Sequence, residues 1–156
     1  MNSEIKLRRA NQSDIGPLVE FNRAMARETE NKELPVAILR PGVEGLFARP
    51  EYGFYVIAET ETGGEKRAVG SLMITYEWSD WRNGLFWWIQ SVYITPDWRR
   101  RGVYTALYDY VKRLAAAEAV CGFRLYVEKE NVAAQQTYER LGMSETHYLM
   151  LESCTA

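Results

Sequence analysis

Residues 87–107, WWIQSVYITPDWRRRGVYTAL, constrain the fold more than any other stretch, because the chain changes conformational character twice within them. Trp87 to Thr95 is aromatic and β-branched, the composition of a largely buried strand. Pro96 and Asp97 stop it, since proline has no amide hydrogen to give a sheet ladder. After Arg99, Arg100, Arg101 and Gly102, the apolar positions Val103, Leu107, Tyr110, Val111 and Leu114 recur at three- and four-residue steps. They share one face of a helix running to about Ala119.

A strand, a basic turn with a glycine and a helix can make an anion site. The first helical turn has amide hydrogens without internal partners, and the helix dipole is positive there. Phosphate oxygens can accept from those amides. Gly102 removes a side chain that would keep a phosphate from the backbone, and the arginines add charge and bidentate donors. A solvated basic turn before a helix fits the same residues.

Size and charge narrow the function classes. A chain of 156 residues suits one domain, here residues 1–156, and its 47% hydrophobic and 26% charged content is that of a globular protein. The net charge of −2 gives no global attraction to nucleic acid or to an anionic membrane. The arginine cluster is local, which suits a small anionic ligand better than a polyanion. No apolar run approaches the roughly 20 residues of a membrane span, and no signal peptide opens the chain. Cys121 and Cys154 have no metal-ligand spacing, so no metal site is expected. A cytoplasmic protein with reduced thiols is the simplest expectation.

In chain order, Ile5 and Leu7 alternate with charges and predict a first strand. Asn11, Ser13 and Asp14 offer helix caps, and Ile15, Leu18, Val19, Asn22, Met25 and Ala26 follow helical spacing to about Glu30. A shorter helix is expected from Pro35 to about Leu39, broken by Pro41-Gly42, with Val43 to Ala48 as a separate turn. Residues 53–59, GFYVIAE, and the return segment Ala68 to Glu77 predict a hairpin about the paired glycines of TETGGEK. After the helix, GFRLYV, Gly122 to Val127, reads as a strand. Asn131 to Leu141 reads as a helix ended by Gly142, and Met143 to Leu151 as a last β segment. The helical crossover from Trp87 to Val127 implies a parallel pair, and the hairpin implies antiparallel ones. The expected fold class is therefore α/β, or α+β layered, with a mixed, mostly antiparallel sheet.

Two motifs carry a resemblance. Arg99-x-x-Gly102-x-Tyr104, behind a strand ending Val92-Tyr93-Ile94-Thr95-Pro96, resembles the acetyl-CoA loop Q/R-x-x-G-x-G/A of the GNAT N-acetyltransferase superfamily. Tyr104 stands where that family usually has Gly or Ala. About 30 residues later, Asn131-x-x-Ala134-x-x-x-Tyr138-x-x-x-Gly142 resembles the second signature of the same family. Read without the family, Asn131 is a helix cap and Tyr138, two turns on, a core residue on nearly the same face. The order of elements is also similar to the GNAT fold, over nearly the whole chain. The resemblance implies acetyl-CoA held by Val92, Tyr93, Ile94, Arg99, Arg100, Arg101, Gly102, Val103, Tyr104, Thr105 and Asn131, with Tyr138 near the thioester sulfur. Members are often homodimers, with which the aromatic content here is compatible.

Acyl transfer from a thioester to an amine makes three demands. The amine must be neutral, which for a lysine-like amine at pH 7 costs about 4–5 kcal/mol. The tetrahedral oxyanion needs fixed donors, for which backbone amides of the Trp87–Thr95 strand are candidates. The departing thiolate needs a proton, which Tyr138 can give as general acid. LFWWIQSVYI with the preceding TYEWSDWRNG resembles the diamine acetyltransferase branch, whose matching strand carries a Glu. Gln90 aligns there, and a neutral amide cannot take a proton. The base is left unassigned: Glu77 and Asp80 read more readily as loop charges, and His147 as structural.

The acidic run Glu28, Glu30 and Glu33, together with Glu77, Asp80, Trp78, Trp81, Trp87 and Trp88, suits a small cationic amine, a lysine-like amino acid or a peptide amine. On strand alternation Trp88 and Gln90 share one face and Trp87 the other, so at most one of Trp87 and Trp88 lines a pocket. The resemblance, in which the region after the first helix lines the acceptor side, implies Glu28, Glu77, Trp88 and Gln90 as acceptor residues; solvated acidic loops and packed tryptophans fit the same residues. Gln90 also keeps open a non-catalytic acetyl-CoA sensor. A dinucleotide module fits poorly, because R-R-R-G-V-Y lacks the three-glycine spacing. Cys121 has no partner that would make it a nucleophile.

Overall fold

A computed structural model describes residues 4–155. Among them, the strands are β1 (Lys6–Arg9), β2 (Gly53–Thr62), β3 (Glu65–Ser79), β4 (Gly84–Ile94) and β5 (Gly122–Arg124). The helices are α1 (Ile15–Glu30), α2 (Val36–Ala48), α3 (Val103–Ala117) and α4 (Val132–Arg140). The strands form one sheet in the order β1-β2-β3-β4-β5, antiparallel except for the parallel pair β4 and β5. The mixed, mostly antiparallel sheet with one strand–helix–strand crossover is therefore the architecture that the residue pattern predicts. No helix among the described residues is long and apolar enough to cross a membrane.

The chain divides into two units, one ending at Leu125 and one beginning at Tyr126. In the first, alternation along the strands gives the sheet two apolar faces. Tyr55 and Ile57 of β2 form a core with Leu18 and Val19 of α1 and Val43 of α2. The opposite parity carries Val56, Leu72, Ile74, Trp87 and Ile89, all buried, and α3 contributes Val103, Leu107 and Val111. Gly70 lets α3 start close against the sheet, since a Cβ there would lie 2.9 Å from the Ile94 side chain and 3.2 Å from that of Val103. Trp87, fully buried, sits edge-on to Phe54 and Phe123 at 5.3 and 6.4 Å.

Three sequence expectations are corrected. The helix begun at Val36 runs through Pro41 to Ala48. Leu39, Val43, Leu46 and Phe47 anchor one side of it in the core, while Ala37 and Pro41 face solvent, where water can satisfy the carbonyl that proline leaves unbonded. The strand expected over Gly122 to Val127 keeps only Gly122–Arg124, its three residues opposite β4. The β segment expected over Met143 to Leu151 does not form. Tyr148, Leu149, Met150 and Leu151 are exposed, and β propensity without a pairing partner does not make a strand.

In the second unit, Asn131 caps α4 and Gly142, at φ 93°, follows its end, as the sequence predicts.

Candidate active site

The end of β4 departs from a regular ladder. Met73 pairs with Gln90 and Ser71 with Tyr93, so two steps on β3 answer three on β4. Ser91, at φ 51°, carries the extra residue. Such a bulge leaves one position unpaired and turns backbone groups out of the ladder. It also restores Tyr93 to the face that carries Gln90 and Trp88, which strict alternation would deny it.

Beyond β4 a single 3-10 turn, Pro96–Trp98, is tied to β3 by Arg67 on Asp97 at 2.9 Å. That ion pair holds the Asp97 carboxyl below its ordinary range. Arg100 and Gly102 then both take the left-handed conformation, at φ 62° and 77°, on either side of Arg101. Alternation of this kind turns successive amides toward one side, a concavity suited to an anion. Gly102 caps α3 with no side-chain hydrogen bond. A Cβ on Gly102 would meet nothing within 4 Å, so the space beside the loop is open and the backbone angle is what calls for glycine.

The three arginines are not equivalent. The Arg99 guanidinium donates to the Ile94 carbonyl at 3.0 Å and to Glu28 at 2.6 Å. Arg101 lies 4.9 Å from the Trp98 ring, and Arg100 is exposed. Glu28 therefore fastens the loop to α1. It also accepts from the Tyr93 hydroxyl at 3.2 Å, and Tyr93 rests on Phe21 at 5.2 Å. Burial, with Glu28 beside it, pushes the Tyr93 phenol up. Glu28, an expected acceptor residue, is paired with Arg99 and Tyr93 in this structure. Val103 is buried and Thr105 exposed at the start of α3, while Tyr104 lies along the helix against Tyr108 at 6.3 Å.

One face of the sheet gathers the other expected acceptor residues. Gln90 donates to the Thr75 hydroxyl at 2.7 Å, and the Trp88 indole donates to Glu77 at 3.1 Å. Arg124 of β5 also donates to Glu77, at 2.7 Å, and lies 3.8 Å over the Phe86 ring. Sequence reasoning missed Arg124, whose one signal was a charge between the apolar residues of GFRLYV. Trp78 and Trp81 are exposed and Trp87 is in the core, so of these tryptophans Trp88 belongs to this face. A cavity of about 320 Å³ opens beside it, lined by Leu46, Arg49, Tyr52, Tyr55 and Met73 among others; Met73 pairs with Gln90.

In the second unit, the Asn131 side chain accepts from the Ala134 amide at 3.2 Å, a helix cap. Gln135 donates to the carbonyls of Glu128 and Lys129 at 3.0 and 2.9 Å, which fixes the approach to α4. Burial pushes the Tyr138 phenol up, so it keeps its proton through neutral pH.

The profile of the acetyltransferase (GNAT) family matches residues 18–143. This chain belongs to the GNAT family. A mouse protein named thialysine N-epsilon-acetyltransferase is 25% identical over 146 residues, which are 90% of this chain and 84% of the mouse protein. The crystal structure of a possible acetyltransferase from Clostridium difficile 630 is 42% identical, with a TM-score of 0.87 over 97% of this chain and 98% of that one. A predicted acetyltransferase from Clostridium acetobutylicum, solved with acetyl-CoA, is 20% identical, with a TM-score of 0.76 over 96% of each chain, and shares the fold.

Within the GNAT frame, the family's Gly or Ala position is filled by Tyr104. Its ring is accommodated by stacking on Tyr108. Gln90 is held by Thr75.

Proposed function

We propose that this GNAT protein transfers the acetyl group of acetyl-CoA to the primary amine of a small acceptor by direct attack. The observation that carries the reading is the loop with two left-handed residues, which leads from the bulged end of β4 into an α3 that has no side-chain cap. Loop amides, Arg100, Arg101 and the start of α3 from Val103 to Thr105 would hold the pyrophosphate. Backbone groups of Val92, Tyr93 and Ile94 would hold the arm, assisted by Asn131. Arg99 acts through position, keeping the loop against Glu28 and the Ile94 carbonyl.

The bound thioester supplies an activated acetyl carbonyl. The chain's own residues then have three tasks. Backbone amides at the Ser91 bulge would receive developing negative charge on an oxygen. Gln90 orients the incoming amine or a water, and the proton that the amine loses passes to water, because an amide cannot take it. Tyr138 holds a proton at its hydroxyl for the departing sulfur. The acceptor class follows the branch resemblance and the mouse relative: a diamine or a lysine-like amine.

The test is a calorimetric titration with acetyl-CoA, followed by thiol release over an amine panel. The expected result is one-site micromolar binding, weakened by Gly102→Ala, and release that depends on an added amine. Binding without release for any amine would favour the sensor reading that Gln90 keeps open. Absence of binding at millimolar acetyl-CoA would overturn both.

A further inference from the structure

The pair formed by Glu77 and Arg124 is built across a strand. Glu77 stands on β3 and Arg124 on β5, with Phe86 and Trp88 of β4 between them. The Arg124 guanidinium lies 3.8 Å over the Phe86 ring and 2.7 Å from the Glu77 carboxylate, which also accepts from Trp88 at 3.1 Å. Both charged side chains are partly open to solvent, at 26% for Arg124 and 41% for Glu77. Of the five N–H donors of Arg124, one meets a protein acceptor among the described residues.

We infer that Arg124 and Glu77 are the headgroup subsite of the acceptor and read the α-carboxylate and α-ammonium of an amino acid whose side chain ends in the reacting amine. The inference rests on the proposed acetyl transfer and specifies its substrate class. Charge is the first argument. A diamine brings a bare ammonium to a carboxylate that a guanidinium already neutralises, and that guanidinium repels it. A zwitterionic head meets an opposite charge on each side, and a carboxylate suits the planar fork of arginine.

Length is the second argument. Register puts Gln90 two residues beyond Trp88 and four beyond Phe86 on the same face of β4. The paired charges thus lie about 7–13 Å along the strand from Gln90. An extended lysine-like side chain, with a hydrogen bond at each end, covers about that span. Its methylenes would cross the Trp88 ring. A short amine would leave one end unfilled.

The test compares L-lysine and L-ornithine with cadaverine and putrescine, using the full chain and saturating acetyl-CoA. Thiol release should favour the amino acids in kcat/KM by about tenfold to a hundredfold, the worth of charge-assisted hydrogen bonds. Arg124→Gln should erase most of that preference, chiefly through the KM of the amino acids, and Arg124→Lys should restore part of it. A wild-type preference for diamines would overturn the assignment. So would an equal loss for both acceptor classes in Arg124→Gln with a lowered melting temperature, the mark of a strap between strands. Ligand-observed NMR of lysine with wild type and Arg124→Gln, in the presence of coenzyme A, reads the subsite without turnover. Lysine binding that depends on Arg124 supports it even if no amine is acetylated, which would fault the transfer reading instead; lysine binding indifferent to Arg124 overturns it.

Discussion

At Asn131 and Tyr138 the structure answers the reading made without the family, and their roles in transfer belong to the proposed function. Asn131 is the helix cap that its place in the sequence predicts, with its side-chain oxygen on the Ala134 amide. Tyr138 is half-buried, and burial raises its phenol above the ordinary tyrosine value of about 10. A general acid must be protonated to act, and a raised pKa keeps it so, so its ionisation should remove no turnover below about pH 10. Tyr138→Phe is expected to lower kcat by about a hundredfold or more while leaving KM for acetyl-CoA little changed. Steady-state kinetics across pH 6–10 checks both statements, and unchanged turnover would remove Tyr138 from the chemistry. These residues were legible because their signals are local: a cap, a helical step and a glycine are written within a few positions. Arg124 was not. Its partner Glu77 lies 47 residues away, and only the pairing of β5 beside β4 brings the two together.

At the scale of elements, the informative disagreements are α2, β4 and the segment after Gly142. Proline in a helix withholds an amide and ordinarily breaks it. In α2 the break is avoided because the apolar side carries the packing and Pro41 sits on the wet side. Pro41→Ala gives Ala37 a partner and should stabilise the protein by up to about 3 kcal/mol, measured by urea unfolding. A lower midpoint would mean that the stiffness proline gives the unfolded chain outweighs the hydrogen bond it removes. The bulge in β4 left no trace in the sequence, since alternation of apolar residues does not record an extra residue that only a neighbouring strand can reveal. The run from Tyr148 to Leu151 has strand-forming side chains and no described ladder. Propensity named the composition there, and pairing decided the structure.

For the molecule as a unit of stability, the Arg8 network ties β1 to β2 and to the start of α1. Its guanidinium donates to Asp14 at 2.7 and 2.9 Å and to Glu59 at 3.1 and 3.0 Å, and both carboxylates are buried. Burial pushes Asp14 up, but Arg8 and the Asn11 amide together outweigh it and hold it low; Arg8 likewise holds Glu59 low. Groups with a depressed folded-state pKa add stability that is present above their unfolded values and is lost as pH falls through the folded ones. Unfolding midpoints should therefore decline below about pH 4. Arg8→Met should cost about 3–5 kcal/mol at neutral pH and flatten that decline, because two buried carboxylates lose the cation between them and Asp14 keeps the Asn11 amide alone. The strand order also has a meaning in time. β2, β3 and β4 are a continuous meander whose partners are sequence neighbours, whereas β1 must wait for the closure that spans α1 and α2, and β5 for the crossover through α3. Short closures come first in folding because they cost least chain entropy. Substitutions in the meander are expected to slow refolding, and those in β1 or β5 chiefly to hasten unfolding, as chevron plots would record. The strand that bears Trp88, Gln90 and Tyr93 is then in place before either edge has docked, and each edge, as it arrives, delivers a charged residue onto a surface already laid down: Arg8 from one side, Arg124 from the other.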